Sequence, residues 1–320
     1  METRGWMYLL TGLLYPTDTD YINTQGFPET LSDINLESIG VVVKKVSVIE
    51  NNRFKTGYQG GDERFAFSIN NGEIDDNLAQ HLADAVMVSL AVVNDIGLEE
   101  APMAIKFPQN KINEDGKLKI KDMQGDEGFG IEQYFRLNRA VGVPSEVLSR
   151  VWQIVPAVVN NQSFMDAASF YRESIMNIWI PDDTISELMV DGDIPISNVE
   201  KANVETAYHN AFKSIEAIIG EPPSDRRKLG MKLVKQGINP DEMLGYELYY
   251  MKPGKEKLLE KLLDMQKTRD KKAAHGKTTH PREIGLCELK DKQALARHII
   301  LKSLTSISGM PPQRIFHPLS

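Results

Sequence analysis

Near residue 125 the hydrophobic pattern of this chain changes, from short runs with strand-like alternation to the wider spacing of helices. In the first part, Ile39-Gly40-Val41-Val42-Val43 runs on through Val46, Val48 and Ile49 to the turn residues Asn51-Asn52, a strand signature. Phe65, Phe67 and Ile69 alternate before Asn70-Asn71-Gly72, which predicts a second strand entering a turn. Asp75-Asp76-Asn77 then caps a helix carrying Leu78, Leu82, Ala85, Val86, Val88, Leu90 and Val93 and ending near Gly97. That helix is apolar round much of its circumference, so it belongs in a core. Short strands are predicted over 103–107 and 117–121, on either side of the Asn113-Glu114-Asp115-Gly116 turn. The opening apolar run, Trp6 to Tyr15, reads as a buried strand or a short helix. It is too short to span a bilayer and meets Pro16, Asp18 and Asp20 where a signal peptide would have a small-residue cleavage site.

Residues 122–130 are polar and rich in glycine, a linker composition. Beyond them the pattern predicts helices over 131–141, 145–160 with Pro156 inside, 163–179, 198–219, 225–236, 240–249, 254–275 and 288–307, and no strand. Pro181 and Asp191-Gly192-Asp193 punctuate the series. The expected fold class is therefore α+β: a mixed β-containing domain over 1–125, a linker and connecting helix over 126–144, an all-α helical bundle over 145–310 and an extended tail over 311–320. No internal repeat interrupts this plan.

Charge changes the picture in the same direction. The 320 residues carry a net charge of -8, which alone argues against a nucleic-acid partner. Residues 1–200, however, hold 15 basic and 31 acidic side chains, a net of -16, whereas residues 201–320 hold 22 and 14, a net of +8. An asymmetry of that size points to two units with different partners. The single cysteine, Cys287, supports neither a disulfide framework nor a cysteine zinc site, and fits a cytoplasmic chain with a buried or surface thiol.

The candidate chemistry lies in the basic part. A helix from about Lys255 carries Leu258, Leu259, Leu262 and Leu263 on one face and ends in Arg269-Asp270-Lys271-Lys272-Ala273-Ala274-His275-Gly276-Lys277. Gly276 is the natural residue to follow the helix, which sets His275 in its last turn. There the negative end of the helix dipole favours the imidazolium and moves the histidine toward general acid work near neutrality. Arg269 precedes it by about 9 Å along the axis and on a different stripe, so a second copy docked on the first would bring the two groups together.

Arginine, a polar residue, four further residues and histidine resembles the active-site motif of the HEPN superfamily (higher eukaryotes and prokaryotes nucleotide-binding). Arg269 and His275 are the only arginine–histidine pair of the chain at that motif's spacing. The upstream segment from Val204 to Gly220 is similar to the family's earlier core helix, which often carries an extra polar active-site residue. The likeness covers roughly 200–307 and continues more weakly from about 145. It implies a metal-independent RNA endoribonuclease working as a symmetric dimer, of the kind found among toxins and effectors of antiviral defence, and it implies no cofactor. On that reading His275 moves the proton of the ribose 2′-hydroxyl or of the leaving 5′-oxygen, and Arg269 holds the phosphoryl oxygens with its planar fork. Asp270 orients one of the two, and Lys271, Lys272 and Lys277 draw in the backbone. DNA lacks the 2′-hydroxyl, so RNA is the expected partner.

Other residues divide between chemistry and structure. Glu216 and Asn210 on the upstream helix are candidates for the polar partner, with a solvated helix position as the alternative for each. His280 is a candidate phosphate contact, since its spacing from His275 does not suit a helical zinc site. His209 reads as a helix-surface histidine and His298 as packing. Gly276-Lys277-Thr278 ends like a phosphate-binding loop, but Lys271 stands where the first glycine belongs; Gly128-Phe129-Gly130 lacks the third glycine of the dinucleotide fingerprint. Two functions follow: an endoribonuclease whose N-terminal domain senses a protein or nucleotide trigger or masks the basic domain, or a non-catalytic module that binds RNA, nucleotide or a protein and dimerises through the motif helix. Neither needs a membrane.

Overall fold

The structure, a computed structural model, describes residues 6–10, 13–16, 34–49, 62–69, 76–95, 104–108, 117–119, 140–143, 145–178, 198–245, 256–273 and 284–308. Among these residues the chain is rich in helix, with seven α-helices and a small sheet. It divides into two compact units, one of Met1–Leu90 with Leu98–Asn160, the other of Ala91–Gly97 with Asn161–Ser320.

The first unit is built on a sheet in which strands β3 (Ile34–Leu36), β4 (Val41–Ile49), β5 (Asp62–Ile69), β1 (Trp6–Leu10) and β6 (Ala104–Pro108) follow one another in space. All these pairings are antiparallel; Val41 faces Ile69 and Val48 faces Asp62 across β4 and β5. Strand β7 (Lys117–Lys119) runs parallel to Ser47–Ile49, while β3 pairs with Val41–Val43. A strand has two edges and β5 occupies one of β4's, so β3 and β7 share the other, end to end. Gly40 introduces β4: its φ of +65° and its N–H bond to Glu37 O at 3.1 Å close the 3-10 turn Glu37–Ile39 in a conformation that costs glycine least.

Helix α1 (Asp76–Asn94) is buried nearly all round from Leu82 to Val93, as its apolar circumference predicts. Helix α2 (Ser145–Asn160), with Pro156 inside it, buries Val151, Trp152, Ile154, Val155 and Val158, and its Val159 carbonyl lies 3.3 Å from His81 Nε2 of α1. The units differ from the expected division here, since α2 groups with the sheet and Ala91–Gly97 with the helices.

A second correction concerns the helix expected over 131–141. Its described end is strand β8 (Ala140–Val143), parallel to β2 (Leu13–Pro16). Pro144 disfavours helical geometry at Val143, and Gly142 weakens a helix just before it. The rest of that segment lies outside the described residues, as do the 122–130 linker and the 311–320 tail.

The second unit contains α3 (Gln162–Asn177), α4 (Asn198–Ile219), α5 (Arg226–Lys235), α6 (Leu258–Ala273) and α7 (Leu286–Ser308). Asn161 caps α3 by accepting from Ser163 N, and Asp225 caps α5 by accepting from Lys228 N. Gly237, at φ +74°, ends α5: its N–H donates to Val234 O, and Ile238 N–H donates to Leu233 O. The helix expected over 240–249 is a turn leading to strand β9 (Met243–Leu244), paired with β10 (Glu256–Lys257). Pro240 has no amide hydrogen for a helix, and the carbonyls of Pro240 and Glu242 accept instead from the first amides of α6, Leu259 N and Leu258 N. For that reason α6 starts at Leu258, later than the apolar pattern predicts.

Helix α7 is the core of this unit and is buried on every side from Leu289 to Ala296. The four consecutive polar residues inside that stretch each meet a partner. Lys290 Nζ is 3.8 Å from Asp95, Asp291 accepts two bonds from Lys261 of α6, Lys292 donates to Asp264 at 3.1 Å and Gln293 donates to Ser174 of α3. Arg297 donates to the carbonyls of Val92 and Val93 at 2.7 and 2.5 Å, closing the end of α1. His298, also buried, lies 3.3 Å from Glu242, which agrees with its reading as packing.

Candidate functional site

Helix α4 occupies the residues its periodicity predicts, 198–219. Val204, Ala207, Tyr208, Ala211, Phe212, Ile215 and Ile219 recur at helical spacing and are buried. Gly220, at φ +70°, ends it ahead of Pro222 and Pro223. Helix α6 is held against this region at successive turns. Tyr208 Oη donates to Met265 O at 3.3 Å, and Gln266 Nε2 donates to Pro222 O at 2.7 Å.

One turn beyond Met265 comes Arg269. Its guanidinium lies over the Phe212 ring, 4.5 Å from the centroid, and donates to Glu216 Oε1 at 2.7 Å. The two charged side chains are 24% and 25% exposed, so the pair is half in water, where an ion pair of good geometry contributes about 1 kcal/mol. The aromatic floor adds about as much and fixes the plane of the guanidinium. The structure thus brings together Arg269 and Glu216, two of the residues the sequence singled out.

Asn210 is half-buried on α4 and makes no hydrogen bond to Arg269. Asp270, Lys271 and Lys272 continue the backbone of α6, their side chains being outside the described residues. His275, Lys277 and His280 lie wholly outside them. Among the described residues no group of three or more His, Cys, Asp or Glu side chains could hold a metal ion. No helix among them is long and apolar enough to cross a membrane.

The neighbour that sequence reasoning set aside is His209. It is half-buried, and its Nδ1 is enclosed with no hydrogen-bond partner among the described residues. Burial pushes its pKa below the ordinary histidine value, Lys213 and Arg269 push it further, and Glu216 opposes them. Lys213 itself stands over the Phe170 ring of α3, 5.3 Å from the centroid. His209, Phe212, Lys213 and Glu216 have the i, i+3, i+4, i+7 spacing of one helix face. That spacing is the signal that would have joined His209 to the site.

The arrangement can present an oriented guanidinium, a second cation and a neutral imidazole on one helix face, with a single carboxylate among them. Such a set suits an oxyanion, because Arg269 can exchange one carboxylate oxygen for a phosphate oxygen without leaving its aromatic floor. Comparison of the chain with protein-family models, with curated proteins and with solved structures finds no match.

Proposed function

We propose that the chain is a metal-independent endoribonuclease of the HEPN type. The observation that carries this reading is the Arg269–Glu216 pair: the arginine of the motif helix meets a polar residue of the earlier core helix, the juxtaposition that the resemblance implies. In the proposed reaction His275 transfers the proton, Arg269 neutralises the charge gathering on the phosphoryl oxygens and Asp270 orients the histidine or the arginine. Lys271, Lys272, Lys277 and His280 contact the RNA backbone. Two copies pair through the helical unit, in the cytoplasm, and the acidic N-terminal part silences the nuclease until a trigger arrives, as in a toxin or a defence effector.

The test is cleavage of labelled RNA by the full chain in the presence of a chelator. The expected products end in 2′,3′-cyclic phosphate or 3′-phosphate, and His275→Ala abolishes them. Identical behaviour of wild type and His275→Ala, or no cleavage across a broad RNA panel, overturns the reading.

One observation favours the alternative, a binding module without catalysis. Arg269 already has a carboxylate partner, so its charge is partly spent on joining two helices. Tight RNA binding that weakens with salt, without cleavage, would support that alternative.

A further inference from the structure

We infer that His209, Lys213 and Arg269 form a seat for a phosphate oxyanion on the face of α4, with Phe212 as its floor and Glu216 as the group the phosphate displaces. The inference deepens the ribonuclease reading by naming the residues that would grip a phosphate beside the motif. It is also measurable apart from cleavage.

Three geometric observations carry it. Arg269 is fixed in plane by Phe212 and bonded to only one printed carboxylate oxygen, so its fork is oriented before any ligand arrives. Lys213 and His209 are one helical turn apart on the same face as Phe212 and Glu216, and both act electrostatically on the same space as Arg269. His209 keeps an enclosed Nδ1 without a partner, an unusual expense for a polar atom out of water that a ligand oxygen would relieve.

The charges explain why the histidine is waiting. The charged groups acting on it are Lys213 and Glu216 of its own helix and Arg269 of α6; from α3 the neighbour is Phe170, under Lys213. Two cations against one anion hold the imidazole neutral. A phosphate entering between them reverses the balance, so the imidazole takes up a proton and becomes a third donor. Binding should then strengthen as pH falls through the histidine range, because the bound form holds more protons than the free form.

Two probes separate the sources of such an oxyanion. Inorganic phosphate reports a free anion, and a 2′-O-methyl oligoribonucleotide reports an RNA backbone that cannot be cleaved, since its attacking hydroxyl is blocked. Both are titrated into the full chain by calorimetry at about pH 6 and about pH 8, the range over which a histidine near its ordinary value titrates. At least one probe should bind wild type more tightly at the lower pH. His209→Gln should weaken that binding roughly tenfold and flatten the pH profile, the scale of one charge-assisted hydrogen bond. Lys213→Gln should weaken binding to a similar extent while leaving the profile sloped, because the histidine still titrates.

Circular dichroism confirms that the variants are folded, and Asn203→Gln on an exposed turn of α4 serves as a control that leaves binding unchanged. Absence of binding by both probes, or binding indifferent to His209 and Lys213, overturns the seat. RNA cleavage with unaffected probe binding would remove the seat and keep the ribonuclease. Probe binding that depends on both residues, without cleavage, would do the reverse.

Discussion

Replacing Asp291 by alanine should be among the most damaging single changes in the helical unit. Lys261 is fully buried and Asp291 is 7% exposed; two bonds of 2.7 and 2.9 Å join them. Lys292 Nζ lies a further 3.9 Å from the same carboxylate. Removing that carboxylate leaves two ammonium groups close together in a poorly hydrated space and takes from Lys261 the acceptor for two of its N–H donors. Breaking a buried pair in this way costs about 3–5 kcal/mol. In a unit of this size each kcal/mol moves the melting temperature by roughly 2–4 °C, so the expected fall is on the order of 10 °C.

The partner experiment is the double variant Lys261→Met, Asp291→Leu. Burial lowers the Lys261 pKa even though Asp291 pulls it upward, so removal from water outweighs the attraction. A pair in that condition stabilises the fold little beyond what apolar side chains of similar volume would. The double variant should therefore regain most of the loss, to within about 1 kcal/mol of wild type. Urea unfolding followed by far-ultraviolet circular dichroism measures both. A single variant within about 1 kcal/mol of wild type would refute the reasoning, as would a double variant no better than the single one.

Arg297→Met should cost about 2–3 kcal/mol by stripping two charge-assisted bonds from the Val92 and Val93 carbonyls, with faster amide exchange in the last turn of α1 as the local signature. Glu242 has its pKa lowered chiefly by the bond from His298, so the stability it contributes is present above the ordinary value of 4.5 and lost as pH falls through the lower folded value. Glu242→Gln should accordingly destabilise the protein at about pH 7 and differ little from wild type at about pH 3, in paired denaturation curves. Gly237→Ala should destabilise by about 1 kcal/mol, because φ is +74° there and an added Cβ would come within 3.3 Å of Ser306 Cβ. A rise in melting temperature for that variant would contradict the left-handed assignment.

The parts of this fold legible in the sequence are those whose burial is decided locally. In β4 and β5 the pattern alone finds strands, and α4 has both its start and its stop written in its own residues, down to Gly220. Strand β8 was not legible because its partner is β2, far off in the chain, and a four-residue run such as Ala140–Val143 carries no period of its own. The true start of α6 was hidden for a similar reason, since its first amides are satisfied by carbonyls from the preceding loop. At the site, Arg269 was found by its spacing to a histidine and Glu216 by its place on the earlier helix. His209 was read as surface because its burial depends on which other helices pack around α4, and an amphipathic pattern reports only which face is buried most.

Helix α7 shows how such a packing pattern still fixes the site. Residues 290–293 point in four directions from a buried helix and find Asp95, Lys261, Asp264 and Ser174 as their partners. Turning α7 by one residue, about 100°, would strand all four, so these polar side chains set its register against α3 and α6. On α6, Lys261, Met265 and Arg269 follow one another at i, i+4 and i+8, a single stripe. The first is held by α7, the second by Tyr208 of α4, and the third comes to rest on Phe212 and Glu216. Arg269 is therefore placed by two ties that precede it along the stripe, and its bond to Glu216 is a consequence of that placement. A residue positioned independently of its ion-pair partner can release that partner without losing its position, and an arginine that hands its charge from a carboxylate to a phosphate must be able to do so.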